Sequence, residues 1–477
     1  MKCLSGLDAT FLYAETATTP MNVVATIVVE GRLEFDALLS RIEARLPCLP
    51  PFRRRLVEMP FSLGHPMWIE DPDFDVREHV VRATASPPGD ARALARIVEG
   101  VARRRLDRAR PLWEIVVVDG LAEDRTALVV KAHHAALDGV SGAALLLHLF
   151  DRGHDEARDP SEVEDAWRPD PEPSAAELLG RGLGGLRDRP GVWSQALRRA
   201  GRSAGEIARA HWAPDAPIRD AALPFQAPDS PWNGPVSARR GVAYARTSLE
   251  SIARVRAVYG GTVNDVVLTA CTRALQGELI ERRALPETPL VAAVPVSTRP
   301  PGEAPDAGNR ISAFLTQLPV QLEDPLHQLT EVSRSTRRSK RLHAALGDGT
   351  LGALAELATP GLTRRAFEAY SRWKLAAAHR PLFNLIVSNV PGPPVALALL
   401  GRPVRAIHPH GPLMEGAGLN ITVLSYAGSV DVGVLACGER VPEAHRLADR
   451  VAGAIEELAK LAEAELPEIP PLARECA

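Results

Sequence analysis

Two hydrophobic rhythms run along this chain. Met21 to Gly31 (MNVVATIVVEG), Pro111 to Leu121 (PLWEIVVVDGL) and Thr126 to His134 (TALVVKAHH) are dense in β-branched residues and predict strands. Between them, LEFDALLSRIEARL (Leu33 to Leu46) and DARALARIVEGVARRRLD (Asp90 to Asp107) carry apolar residues at helical spacing. The second has its arginines late, where they suit the negative end of the helix dipole. MWIEDPDFDVREHVV (Met67 to Val81) reads as extended, broken at Pro72, and SGAALLLHLF (Ser141 to Phe150) as an apolar helix. The first 150 residues thus alternate strands and helices, which predicts an α/β layer architecture.

The rhythm then stops. From Asp151 to about Gly234 the chain is rich in Pro, Arg, Gly and Ala, as in RPDPEPSAAELLGRGLGGLRDRPGVW (Arg168 to Trp193). This stretch is too long for a plain loop in a compact domain and reads as a linker with broken helices. A second α/β half follows. GGTVNDVVLTACTRALQGELIE (Gly260 to Glu281) is helical, and LVAAVPVSTRP (Leu290 to Pro300) is a strand ending in a polar turn. LFNLIVSNVPGPP (Leu382 to Pro394) is a strand running into a Pro-Gly loop, and LNITVLSYAGSVDVGVLACG (Leu419 to Gly438) is a hairpin. A last helix is expected from Pro442, a residue suited to the first helical position, with Leu447, Val451, Ile455, Leu458 and Leu461 as its core stripe. The predicted organisation is an N-terminal domain over 1–150, a linker over 151–234 and a C-terminal domain over 235–477.

Composition narrows the classes. The chain has 477 residues, 45% hydrophobic and 24% charged, with a formal net charge of -3. That supports a large core and argues against a nucleic-acid binder. The cysteines, Cys3, Cys48, Cys271, Cys437 and Cys476, are odd in number and lack metal-ligand or CxxC spacing, so a reducing compartment is expected. The N-terminus lacks the apolar run of a signal peptide, and no window is long and apolar enough to span a bilayer. A cytoplasmic protein is expected, one that can still rest on a membrane surface.

The candidate chemistry sits at the end of a strand, in HHAALDG (His133 to Gly139). Histidine exchanges protons near neutral pH, and a strand end holds it rigidly. Adjacent strand residues point to opposite faces, so one of His133 and His134 can serve a cleft while the other packs inward. Asp138 can brace the turn and Gly139 permits a bend. Two core histidines followed by an N-capping Asp138 would give the same letters, and both readings stand on these residues alone. Adjacent histidines do not converge readily on one ion, and neither an HExxH motif nor a cysteine pair accompanies them, so no metal is expected.

HHAALDG matches the HHxxxDG signature of the bacterial wax ester synthase/acyl-CoA:diacylglycerol acyltransferase family. LSGLDATFLYAETATTPMNV, PFRRRL, WIEDPDFDVREHV, LDRARPLWE, TVNDVVLTA, VPVSTR, the Gly308-Asn309 pair and SNVPGPP resemble further blocks of that family, in its order and over nearly the whole chain. One departure is Pro20-Met21-Asn22, where many members read PMH. It bears on substrate preference if that position lines the acyl channel.

The resemblance implies two chloramphenicol-acetyltransferase-like α/β domains with an active-site tunnel at their interface. It implies O-acylation of diacylglycerol or a long-chain alcohol by acyl-CoA, with no cofactor beyond that co-substrate. His134 is expected as general base and His133 as its support. Asp138 is expected to pair with an arginine, Arg299 being a candidate. Asn264 and Asp265 of the family's second marked motif also suit a helix start, Asn264 as N-cap and Asp265 as a first-turn acid. Ser388 and Asn389 are candidate donors to an oxyanion or to CoA, with a plain turn as the alternative. Trp113 of PLWE reads as a core anchor. Two rival readings are a condensation-like enzyme fed by an acyl carrier protein and a lipid-binding member without catalysis.

A basic stretch from Arg181 to Trp212 holds Arg181, Arg187, Arg189, Arg198, Arg199, Arg202 and Arg209 against Asp188 and Glu206, with Trp193 and Trp212. It suits peripheral contact with a membrane or lipid droplet, or a solvated linker helix.

Overall fold

The computed structural model describes residues 1–137, 142, 147–151, 169–185, 191, 194, 198, 201, 205, 221–300, 308–346 and 359–465. The first half runs β1 (Lys2–Cys3), α1 (Gly6–Ala14), β2 (Asn22–Glu30), α2 (Phe35–Arg45), β3 (Arg54–Val57), β4 (Met67–Glu70), β5 (Val80–Thr84), α3 (Ala91–Ala102), β6 (Trp113–Leu121) and β7 (Arg125–His133). The second half runs β8 (Asn233–Gly234), β9 (Arg240–Ser248), α4 (Leu249–Tyr259), α5 (Val263–Glu281), β10 (Leu290–Ser297), β11 (Ile311–Leu318), α6 (Pro325–Leu346), α7 (Pro360–Arg372), β12 (Leu385–Pro391), β13 (Ala398–Leu399), β14 (Arg402–His410), β15 (Gly416–Ala417), β16 (Leu419–Tyr426), β17 (Ser429–Cys437) and α8 (Ala444–Glu465).

Two six-stranded sheets organise these elements. One has the order β13-β14-β2-β7-β6-β5 and the other β11-β10-β12-β16-β17-β9. The first is completed from the second half of the chain. β14 pairs antiparallel with β2, setting Ile407 opposite Ile27 and His410 opposite Val24. To reach that place, β14 passes over β17 so closely that a Cβ on Gly433 would lie 1.8 Å from the Pro409 carbonyl oxygen. Only glycine permits that crossing.

Period-two alternation gives each sheet two apolar faces. In the first sheet, Ile27, Ile115, Val117, Leu128 and Val130 pack with Leu38 and Ile42 of α2. Val116, Val118, Ala127 and Val129 pack with Leu94, Val98 and Val101 of α3, and with Val242 and Leu435 of the second sheet. In the second sheet, Ile421, Val432 and Val434 meet Leu268, Leu275, Leu447, Val451 and Ile455 of the helices. α8 begins at Ala444 rather than at Pro442, which lies in the preceding turn. The apolar stretch over 141–150 lies largely outside the described residues; Leu147–Leu149 form a 3-10 turn.

Candidate active site

β7 is an interior strand, hydrogen-bonded between β2 and β6, and it ends at the histidine pair. Both neighbours hold the backbone there. His133 N–H donates to the Leu112 carbonyl at 3.0 Å and His134 N–H to the Met21 carbonyl at 2.8 Å. The chain then folds back, with Ala136 and Leu137 N–H groups donating to the His133 carbonyl at 2.9 and 3.3 Å.

α1 lies against this turn and reaches both rings. Its start is fixed locally: the Ser5 hydroxyl accepts from Asp8 N–H at 3.1 Å and donates to the Asp8 carboxylate at 2.8 Å. Phe11 stacks on the His134 ring, centroids 4.1 Å apart and planes within 10°. Four residues on, at the C-cap just past the end of α1, Glu15 approaches His133. Its Oε1 lies 3.5 Å from His133 Nε2, and both side chains are 1% exposed.

The His133 tautomer follows from its other nitrogen. Ala135 N–H donates to Nδ1 at 3.0 Å, so that nitrogen carries no proton and Nε2–H faces the carboxylate. Burial opposes the Glu15 charge, yet His133 and Arg108 together hold its carboxyl below the usual range. Arg108 contributes an ion pair at 3.0 Å and donates to the Leu12 carbonyl at 2.7 Å. His133 thus shapes the turn, while His134, 7% exposed, follows it.

The second half of the chain closes the arrangement. Asn309 Nδ2 donates to the His134 carbonyl at 2.6 Å, and Asn309 N–H donates to Asp8 Oδ1 at 3.1 Å. Burial pushes the Asp8 carboxyl up, against hydrogen bonds from Ser5 and Asn309. Gly308 adopts φ +106, and a Cβ there would lie 3.2 Å from Asp8 Oδ2, so glycine suits this close approach. One residue pair from the second half therefore grips the start of α1 and the backbone of His134 together.

Other residues nominated from sequence take different places. Asp138 and Gly139 lie outside the described residues. Arg299 donates from Nη2 to the Gly308 carbonyl at 2.8 Å, bracing the loop that presents Asn309. Asn264 is not the N-cap of α5; Thr262 is. Thr262 N–H and hydroxyl both donate to Asp265 Oδ2 at 2.9 Å, and Asp265 N–H returns to the hydroxyl at 3.2 Å. Threonine three residues before the aspartate closes the reciprocal cap, which leaves Asn264 inside the first turn.

Ser388 and Asn389 are adjacent on β12 and half-buried. Alternation sets Ser388 on the face of Ile386 and Val390, the latter packed with the first sheet, and Asn389 on the helix-covered face of Leu385 and Val387. Trp113 is the buried anchor its sequence context suggests, donating from Nε1 to the Phe52 carbonyl at 2.7 Å. Asn22, where the chain departs from PMH, sits opposite His133 in the β2–β7 ladder and donates from Nδ2 to the Arg104 carbonyl at 3.0 Å. Lys131, buried two residues before His133, ion-pairs with Glu114 at 2.6 Å. Burial pushes its ammonium pKa down, against the attraction of Glu114.

A cavity of about 480 Å³ opens on the second sheet beside Gln226, Val291, Gln317 and Arg380, and none of the nominated residues lines it. Among the described residues no group of three or more His, Cys, Asp or Glu could hold a metal ion.

Sequence reasoning left Asp8, Phe11, Glu15, Arg108 and Asn309 without roles. The blocks that contain most of them were visible; their contacts, spanning up to 301 residues, were not.

Comparison with known proteins completes the picture. The starter condensation domain of rhizomide synthetase, solved in complex with C8-CoA and Leu-SNAC, has the same fold at 14% identity and a TM-score of 0.56, covering 97% of this chain and 94% of that one. The wax ester synthase/diacylglycerol acyltransferase of Marinobacter aquaeolei is similar at 26% identity and a TM-score of 0.65, over 97% of this chain and 100% of that one. A putative diacylglycerol O-acyltransferase of Mycobacterium tuberculosis is 34% identical over 470 residues, 96% of this chain and 90% of the relative. A probable diacylglycerol O-acyltransferase of the same organism, tgs2, is 31% identical over 462 residues, 94% of this chain and 97% of the relative.

The architecture is thus that of two-lobed α/β acyltransferases and condensation domains. Residues 4–267 match the wax ester synthase/diacylglycerol acyltransferase catalytic domain and residues 307–459 the C-terminal domain of the same family. The chain belongs to that family, and it is an acyltransferase.

Proposed function

We propose that this enzyme moves a long-chain acyl group from acyl-CoA to the hydroxyl of diacylglycerol or a long-chain alcohol, with His134 as general base. The observation that carries the base assignment is the convergence on one residue: stacking from Phe11 on its ring, and hydrogen bonds at its N–H and carbonyl from two distant segments. A base so restrained keeps its reacting geometry, and geometry supplies much of the rate. His134 takes the hydroxyl proton as the oxygen attacks the thioester carbon. The tetrahedral oxyanion collapses, the C–S bond breaks, and the proton passes from His134 to the departing CoA thiolate. No acyl-enzyme is required, because the hydroxyl oxygen attacks the thioester directly.

His133, fixed by Glu15 and the Ala135 N–H, positions the turn. Asp138 and Gly139 are assigned supporting roles by their match to the family signature. Ser388, on the face turned toward the first sheet, is the better placed of its pair to donate to the oxyanion. Asn264, Asp265 and Arg299 act as structural support. The lipid-borne acceptor implies peripheral contact with a membrane or lipid droplet; among the described residues no helix is long and apolar enough to cross one.

The test is purified enzyme with labelled palmitoyl-CoA, offered hexadecanol and dioleoylglycerol separately, with products separated on a thin-layer plate. Ester formation with either is expected, and formation only from an acyl carrier protein would replace the donor. A His134→Ala variant that retains full turnover would overturn the base assignment.

A further inference from the structure

Exposed apolar side chains are not scattered over this molecule. Among the described residues twelve large ones are exposed, and seven surround a single helix, α7. At its start stand Leu362, 71% exposed, and Phe61, 87% exposed, on the 3-10 turn Pro60–Ser62. The two segments touch, since a Cβ on Gly361 would lie 3.3 Å from Ser62 Cβ. Leu183 joins them through Gly182, which packs on Leu63 and Met59.

At the other end of α7 stands Trp373, 69% exposed, with Leu375 two residues on. Phe225 and Leu382 extend this end: the Phe225 ring meets His379 edge-on at 5.5 Å, and His379 hydrogen-bonds the Tyr370 hydroxyl at 2.7 Å. Phe61 and Phe225 both have positive φ, 55° and 64°, a conformation bulky residues rarely adopt. The chain bends unfavourably in two of the three places where it turns a large aromatic ring outward.

The charges around these residues lean basic. Arg181, Arg364, Arg365, Arg372, Lys374 and Arg380 are exposed, against Glu58, Glu177, Asp229 and Glu368. A helix that mixes exposed Leu and Trp with arginines, flanked by Phe and Leu on neighbouring turns, has the chemistry of an element lying in a bilayer headgroup region. Its inner side is committed elsewhere: Phe367 packs against the cluster of Leu4, Ala9 and Leu12 that includes α1. α1 in turn carries Phe11 of the active site, and Glu15 caps its C-terminal end.

We propose that α7 and its flanking turns dock the enzyme on an anionic phospholipid surface, next to the helix that holds the histidine pair. This deepens the reading above and rests on it for its purpose, delivery of a lipid hydroxyl. The sequence pointed to the basic stretch over 181–212 instead; most of that stretch lies outside the described residues, and Arg181 and Leu183 belong to the surface around α7.

The experiment is co-sedimentation of the full chain with vesicles of phosphatidylcholine alone or with phosphatidylglycerol, which needs no turnover. Wild type is expected to bind the mixed vesicles better. A Phe61→Ser/Leu362→Ser/Trp373→Ser variant with an unchanged melting curve is expected to lose about tenfold or more in partitioning to both. Arg364→Gln/Arg365→Gln is expected to lose about fivefold per charge, on anionic vesicles alone. Turnover of a short, water-soluble alcohol should persist in these variants while turnover of vesicle-borne dioleoylglycerol falls. Unchanged partitioning, or a wild type that ignores vesicles, overturns the proposal. So does a wild-type dimer that the triple variant converts to monomer, since the patch would then serve a second copy. If vesicles bind through α7 and no ester forms, the docking surface stands and the assigned reaction fails.

Discussion

Two buried histidine pairs lie among the described residues, and they live under opposite rules. His133 and His134 close an interior strand, with polar partners arriving from α1, from the turn itself and from Asn309. His408 and His410 lie on β14 where it passes between the sheets, against the Tyr244 ring at 4.9 and 5.4 Å. Burial pushes His408 down to about 4, with Arg246 adding to it, and His410 down to about 3, with His408 adding to it. A ring so desolvated stays neutral through the working range and cannot cycle a proton near neutrality. Burial does not mark a catalytic histidine; here the candidate is marked by hydrogen bonds that fix its backbone and by the Phe11 ring stacked on its own.

The sharpest way to break this contrast is to remove one ring from each pair. His134→Ala should lower kcat about 10²- to 10⁴-fold in the labelled acyl-CoA assay, whereas His410→Leu should leave kcat within about threefold at pH 7.5, because a neutral desolvated ring takes no part in proton transfer. Comparable losses in both would erase the distinction.

Next in size is the clamp across the two halves. Asn309→Ala removes the donor to the buried His134 carbonyl and keeps the backbone N–H that donates to Asp8. It should cost about 1–3 kcal/mol in denaturant unfolding, and kcat should fall more than KM rises, since the clamp sets the base and not the substrate.

Glu15→Gln tests the support of His133 with little change in shape. Loss of the carboxylate partner lets that ring reorient and frees the Ala135 N–H, and kcat should drop about tenfold with a shifted pH–rate profile. An unchanged profile would reduce Glu15 to packing.

A last test separates the pairs by pH. His408 and His410 bind protons more weakly when folded than when unfolded. Their contribution to stability is therefore complete above about pH 6.5 and falls as pH drops toward their folded values, by up to roughly 1.4 kcal/mol per histidine per pH unit. Asp431 opposes this trend. Burial raises it to about 6, against a hydrogen bond from Ile407 N–H and the nearby Arg246, so its contribution is lost as pH rises from about 4 to 6. Urea unfolding of a His408→Leu/His410→Leu variant should show a much flatter acid limb than wild type. An identical limb would mean that the rings are hydrated.

Much of the fold was legible locally. β-branched runs gave β2, β6, β7 and β10, and helical spacing gave α2, α3 and α5, because those periods bury one face whatever the wider context. The histidine pair stood out as polar letters ending an apolar strand. What stayed hidden was long in range. Threonine and asparagine are both good N-caps, so only the hydrogen bonds from Thr262 to Asp265 decide where α5 begins. Ser388 and Asn389 looked like a pair until the β12 alternation divided them between two faces.

The sequence alone determined many of the elements, the family and the strand that ends in His133, since each follows from residues close together in the chain. Tertiary structure alone decided that β14 would complete the other half's sheet, that Asn309 would hold His134, and that Phe11 and Glu15 would take one ring each. Such contacts join segments up to 386 residues apart, His410 facing Val24. Their energy depends on shape and burial formed only when the sheets meet, and no local period records it.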